Sequence, residues 1–283
     1  MRSLKMDYKR ILTIQDISCF GQCSLTVALP ILSACGVETV ILPSAVLSTH
    51  TGGFSGFTFR DLSDDIPKIS EHWQKEGITF DAIYTGYLGS VKQIDMVTDI
   101  FNTFSAKKKC VKIVDPAMAD NGKLYYGFDE VYASEMARLC RNADIVIPNI
   151  TEACFITGIE YKEKYDEAYV MSILDALDKD GMKNVVLTGI GYDDETTGVV
   201  IKLGDKIKHY THRRLKQGSH GTGDIFASAF SGALLRGNDE YESARIAADY
   251  TLRCIENSIG DENHRYGAKF ETAIPYLIEL LNK

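Results

Sequence analysis

The sequence lacks a stretch of basic residues interleaved with aromatics. Its longest cationic clusters are Lys107-Lys108-Lys109 and Arg213-Arg214, and the formal net charge over 283 residues is −8. A nucleic acid is therefore not expected as a partner, because gripping the phosphate backbone takes a basic face. A long apolar run is missing as well. Arg2, Lys5 and Lys9 lead into only a few apolar residues before Asp16, too few for the core of a signal peptide or for a membrane span of about 20 residues. The expectation is a cytoplasmic protein with no membrane partner. Paired cysteines are absent: the seven are odd in number and mostly lie in apolar segments, as reduced core thiols do. Cys19 and Cys23 stand four apart, with neither a second pair nor clustered histidines to complete a zinc site. No internal repeat and no Pro/Gly/Ser-rich linker interrupts the chain, so residues 1–283 are expected to form a single domain.

What is present is alternation. Short β-branched runs at 11–14, 37–42, 82–84, 111–114, 145–147 and 185–187 read as buried strands. Between them, residues 62–75, 91–104, 130–140 and 167–180 carry apolar side chains at helical spacing. Such alternation predicts an α/β fold with a mostly parallel central sheet and helices on both faces. Residues 198–203 and 207–212 bracket Gly204-Asp205 as a hairpin, and helical patterns at 226–236, 241–257 and 270–281 complete the chain.

Ligands of an open parallel sheet bind beyond the carboxyl ends of its strands. Those positions hold Asp16, residues 44–53, Gly86-Tyr87, Asp115-Pro116, Asn149 and Thr188-Gly189. The strongest chemical signal is the run Gly218-Ser219-His220-Gly221-Thr222-Gly223-Asp224, which leads directly into an apolar helix. Glycines let successive N–H groups converge, and a helix start adds positive potential, so the run can hold a phosphate or a transferring phosphoryl group. Asp224 then stands where it can take an alcohol proton. Taken alone, the run also reads as a tight turn with Asp224 complementing the helix dipole. Asp115-Pro116-Ala117-Met118-Ala119-Asp120 places two carboxylates at the ligand edge, suited to Mg²⁺ or to an Asp-Pro turn. Pro148-Asn149-Ile150-Thr151-Glu152 opens a helix, so Asn149 and Glu152 can cap it, orient a metal's water shell, or both.

These runs, with Ser48-Thr49-His50-Thr51-Gly52 and Thr85-Gly86-Tyr87, resemble the ribokinase-like superfamily, and most closely its pyridoxal/pyridoxamine kinases, in the same order over most of the chain. The resemblance implies a three-layer α/β/α fold and transfer of phosphate from ATP to the 5'-hydroxymethyl group of a vitamin B6 vitamer. It implies Asp224 as base, with Gly221, Thr222 and Gly223 as the anion hole. Asp115, Asp120 and Glu152 would belong to the Mg²⁺ and phosphate network. Asn149 and Thr188 would lie near the ATP phosphates together with Asp115, Glu152, Gly221 and Gly223, and Thr51 and Tyr87 would line the pyridine pocket. A homodimer is implied, and a monovalent cation is left open. Asp16 departs from the Ile-Gln-Ser-His of that branch, and a carboxylate there could meet a protonated ring nitrogen or an amine, or simply cap the next loop. A hydroxymethylpyrimidine kinase on the same fold is the alternative enzyme, and a vitamin carrier without turnover the alternative outside enzymes. Cys19 and Cys23 read either as loop packing or as a thiol that could add to an aldehyde substrate. His50 is expected near the substrate loop, and His220 either at a phosphate or bonded within its turn. Phe54, Phe57, Phe59 and Tyr125-Tyr126 read as core or as a stacking flap.

Overall fold

The computed structural model describes residues 8–215, 219–261 and 264–283. Arg2, Lys5 and Gly218 lie outside the described residues. Eleven strands are present: β1 (Arg10–Ser18), β2 (Glu38–Leu47), β3 (Phe59–Asp61), β4 (Ala82–Thr85), β5 (Val111–Val114), β6 (Ala119–Asp120), β7 (Lys123–Leu124), β8 (Ile145–Val146), β9 (Asn184–Ile190), β10 (Thr196–Leu203) and β11 (Lys206–Arg213) among the described residues. Nine of them form one sheet in the order β11-β10-β9-β8-β5-β4-β1-β2-β3. From β9 to β2 every neighbouring pair is parallel, while β10, β11 and β3 add antiparallel edges.

Alternation along the central strands sends neighbouring side chains to opposite faces. In β1, Leu12 and Ile14 join one core, which packs under α2 (Ile66–Lys75), α3 (Val91–Ser105), α4 (Glu130–Arg141), α5 (Ile150–Thr157) and α6 (Glu167–Lys179). Ile11 joins the other, with Ala82 and Tyr84 of β4, under α1 (Leu25–Ala34), α7 (Thr222–Leu235), α8 (Glu240–Glu256) and α9 (Ile274–Leu281). The three-layer α/β/α expectation holds, and no helix among the described residues is long and apolar enough to cross a membrane.

Several boundaries differ from the sequence expectation. β1 continues through Asp16 to Ser18, so Asp16 lies within a strand rather than after it. Pairing with β2 is irregular there, between Gln15 and Ile17, opposite Pro43, which has no N–H for the ladder. Likewise β2 reaches Leu47 and β9 reaches Ile190, which places Thr188 and Gly189 within β9. The helix expected from residue 62 begins at Ile66, and residues 270–273 form a 3₁₀ turn ahead of α9. The helix α1 was not expected. Pro30 sits inside it, and an interior proline costs about 3 kcal/mol, but Leu25, Val27, Ala28, Ile31 and Leu32 are buried on the sheet side and offset that loss. β3 and the β6–β7 hairpin are too short to carry a period of their own.

The contact between α1 and α7 is close. A Cβ built on Gly232 would lie 2.4 Å from Cys35 Sγ and 2.7 Å from its Cβ. Gly232→Ala should therefore destabilise the fold by about 1–3 kcal/mol through overpacking, read as a lower midpoint in urea at unchanged m-value; an unchanged midpoint would show that the two helices separate freely.

Candidate active site

A cleft of about 710 Å³ opens at the carboxyl ends of the parallel strands. All twelve residues singled out from the sequence line it: Asp16, Thr51, Tyr87, Asp115, Asp120, Asn149, Glu152, Thr188, Gly221, Thr222, Gly223 and Asp224. They come from segments spread along the whole chain.

Asp224 stands in the first turn of α7, whose N-terminal N–H groups have no partner within the helix. Gly221 precedes that turn at φ 74, and a Cβ on it would fall 1.9 Å from the carbonyl oxygen of Gln22. Only glycine fits, on both counts. One oxygen of Asp224, Oδ2, accepts the backbone N–H of Ser24 at 2.9 Å. Burial lifts the Asp224 carboxyl to about 7; the Ser24 N–H opposes the shift and the charge of Asp16 adds to it. Ser24 holds φ 55 and ψ −132, a conformation that costs a non-glycine residue on the order of 1–3 kcal/mol.

The opposite wall is acidic. Asp115 follows β5, its N–H bonded to the Thr85 carbonyl at 2.9 Å. Its carboxyl is pushed well up by burial and by the charges of Glu152 and Asp224. Glu152 and Asn149 form a complete capping box at the start of α5. Glu152 Oε2 accepts the Asn149 N–H at 2.8 Å and Oε1 accepts the Met118 N–H at 3.2 Å, while Asn149 Oδ1 accepts the Glu152 N–H at 2.9 Å. Burial still raises the Glu152 carboxyl to about 8. Asn149 Nδ2 donates to the Ala119 carbonyl at 2.8 Å, and the Thr188 N–H donates to that of Pro148 at 2.9 Å. Asp120 lies at the turn of the β6–β7 hairpin and accepts from the N–H and Nδ2 of Asn121.

Among the described residues no cation offsets Asp115, Glu152 or Asp224: the groups acting on them are other acids and backbone amides. Buried carboxylates without counter-charge suit a divalent cation. Among the described residues no group of three or more His, Cys, Asp or Glu side chains converges as a ready-made metal cage. That fits Mg²⁺, which keeps waters and shares phosphate oxygens with one or two carboxylates. Asp115 has the freer carboxylate, since both oxygens of Glu152 already accept amides.

The remaining end is apolar and aromatic. Tyr87 packs on Phe128 at 5.4 Å between ring centroids, and Phe128 stacks on Tyr132 at 3.8 Å. Asp16 accepts the Ser18 hydroxyl at 2.9 Å; burial raises its carboxyl, and the hydroxyls of Ser24 and Ser18 oppose that rise. His50 Nε2 lies 3.2 Å from the Tyr266 carbonyl, and its ring is 5.4 Å from that of His220 and 5.0 Å from that of Phe54. His220 thus packs against the loop after β2, and both histidines line the cleft. Tyr125 and Tyr126 lie at its rim rather than in the core, whereas Phe59 is an exposed edge-strand residue. Cys19 is exposed and does not line the cleft. Cys23 lines it, but burial and the charges of Asp224 and Asp16 raise its thiol far above the ordinary value. A thiolate able to attack an aldehyde is disfavoured there. Ser18 and Ser24 are cleft residues that carry no motif, and their roles depend on partners up to 200 positions away.

Comparison with known proteins gives the same picture. The phosphomethylpyrimidine kinase family matches residues 29–268. A pyridoxal kinase of Dictyostelium discoideum is 28% identical over 90% of this chain and 87% of its own length. A candidate phosphomethylpyrimidine kinase of Bacteroides thetaiotaomicron, solved with pyridoxal, is 35% identical at a TM-score of 0.88, covering 95% of this chain and 96% of that one. Pyridoxal kinase of Lactobacillus plantarum superposes with a TM-score of 0.88 at 30% identity, covering 96% and 97%. In sequence and in a ribokinase-like fold shared over most of its length, the chain belongs to the phosphomethylpyrimidine kinase family.

Proposed function

We propose that this protein is a pyridoxal/pyridoxamine kinase that transfers the terminal phosphoryl group of ATP to the 5'-hydroxymethyl group of a vitamin B6 vitamer. One observation carries the reading: Asp224 stands in the first turn of α7, between an acidic wall and an aromatic pocket, in a single cleft. The flat ring lies in the pocket that Tyr87 and Thr51 line, with its CH₂OH directed at Asp224. Asp224 accepts the hydroxyl proton, the alcohol oxygen bonds to the γ-phosphorus, and the bond to the β–γ bridging oxygen breaks to release ADP. The N–H groups of Gly221, Thr222 and Gly223 receive the charge that builds on the transferring group. Asn149 and Thr188 take the nucleotide's phosphate side, next to Asp115 and Glu152. Bound Mg²⁺, held through Asp115 with Glu152 and Asp120 around its water shell, would neutralise the β and γ oxygens. The homodimer implied by the family resemblance is read by light scattering. Buried, unpaired cysteines support a reducing, cytoplasmic setting.

A second substrate, hydroxymethylpyrimidine, shares the flat nitrogen ring and the CH₂OH group, and a hydroxymethylpyrimidine/phosphomethylpyrimidine kinase of Bacillus subtilis, 25% identical over 88% of this chain, speaks for it. The ratio of kcat/KM on pyridoxal, pyridoxamine and hydroxymethylpyrimidine separates the two, and a tenfold or greater preference for the pyrimidine would replace the B6 assignment. Asp224→Asn should lower kcat by roughly 10²–10⁴ with vitamer KM little changed; wild-type turnover in that variant would remove Asp224 as the base. Because burial holds this carboxyl up to about 7 and the base works only when deprotonated, kcat/KM should rise with pH through that value and level off above it. A flat profile between pH 5 and 8 would contradict this assignment. Gly221→Ala should cost at least roughly tenfold in kcat, since its Cβ displaces the anion hole from the Gln22 carbonyl.

A further inference from the structure

Ser24 occupies a place in the cleft that no motif marks. Among the described residues only Ser24 and Asn121 are non-glycine residues at positive φ. Asn121 sits in the turn of the exposed β6–β7 hairpin, where asparagine adopts such angles readily. Ser24 is buried, and although it immediately precedes α1, its hydroxyl makes no capping bond to that helix. Both polar arms turn elsewhere: the N–H donates to Asp224 Oδ2 at 2.9 Å, and the hydroxyl faces Asp16.

A general base must present a lone pair to the proton at hydrogen-bond distance, so a carboxylate free to rotate about its Cβ–Cγ bond is a poorer base than a fixed one. The ionisable groups around Asp224 are Asp16 on β1, Cys23 in the following loop, Tyr84 on β4, Asp115 after β5 and Tyr125 at the rim. Among the described residues none of these is a cation that could hold its orientation. Among the described residues the Ser24 N–H is its one protein hydrogen-bond donor, and Oδ1 has none.

We propose that Ser24 is a positioning residue for phosphoryl transfer: its left-handed backbone fixes one oxygen of Asp224, leaving the other to receive the substrate proton, while its hydroxyl fixes Asp16 at the ring end. This rests on the function proposed above. A glycine would hold the same φ without strain but would lose the arm to Asp16. An alanine keeps the strain and loses the hydroxyl anchor that opposes relaxation to negative φ.

Ser24→Gly and Ser24→Ala therefore separate the two arms. The probe is whichever of pyridoxal, pyridoxamine, pyridoxine or hydroxymethylpyrimidine the wild type phosphorylates with Mg-ATP. Ser24→Gly should keep kcat within about threefold and raise KM for the alcohol, whereas Ser24→Ala should lower kcat by roughly tenfold or more. Nuclear magnetic resonance titration of the Asp224 carboxyl should give the same pKa in wild type and Ser24→Gly and a higher one in Ser24→Ala, where the N–H donor has swung away. Equal kcat in wild type and Ser24→Ala, or a loss in Ser24→Gly as large as in Ser24→Ala, would overturn the proposal. If the wild type phosphorylates none of the four alcohols, the proposed function fails. The titration then decides on Ser24 by itself, an unshifted Asp224 in Ser24→Ala counting against it.

Discussion

The loop that links β1 to α1 and the start of α7 meet backbone against backbone. Gly221 lies so close to the Gln22 carbonyl that no Cβ could stand between them, and two residues further on the Ser24 N–H reaches Asp224. The same loop is held from its other side, where the Gln22 N–H donates to the Tyr266 carbonyl and the His50 N–H to that of Phe20. His50 in turn packs against Gly21, where a Cβ would fall 2.1 Å from its ring. This backbone contact joins the sheet end that presents Asp16 to the helix start that presents Asp224. The separation of Asp16 from Asp224 is set by it, and in the phosphoryl transfer proposed here, which depends on alignment, that separation matters more than any single side chain.

The cleft is also where the fold tolerates charge it would elsewhere exclude. Asp16, Asp115 and Glu152 are buried and Asp224 lines the same cleft, with hydroxyls and backbone amides as their protein support among the described residues. Burial raises all four carboxyls, and their mutual repulsion adds to the rise for Asp115 and Asp224. Such a site is suited to a ligand that brings positive charge and hydrogen-bond donors, as a metal–nucleotide complex and a protonated heterocycle do. Elsewhere the acids are paired in the usual way, as in the Arg245 links to Glu242 and Asp249 on α8. The contrast separates a surface built for solubility from a cleft built for ligands.

Much of this was legible from local pattern. The mostly parallel sheet with helices on both faces follows from alternating strand and helix periods, because each period reports which faces are buried. Gly221-Thr222-Gly223-Asp224 announces a helix start with a carboxylate in its first turn, and Asn149 with Glu152 announces a capping box; both are present as read. The helix α1 was hidden by Pro30, since local propensity counts an interior proline as a break while burial of one face overrides it. Strand ends were misplaced at Asp16 and Thr188 for a related reason. Polar residues at a buried strand end look like loop in sequence, and the ladder that extends them is supplied by neighbouring strands.

The sequence by itself determined the layered α/β architecture, because periodicity, caps and glycine-rich turns are encoded over a few neighbouring positions, and through its resemblance to a kinase family it pointed to twelve of the residues that line the cleft. Tertiary structure alone decided which carboxylates face one another without a cation, that Cys23 is held as a thiol, that Glu152 spends both oxygens on amides, and that Ser24 links Asp16 to Asp224. Each of these depends on contacts between distant segments, and the dielectric and hydrogen-bonding environment of a side chain exists only once the chain has closed around it.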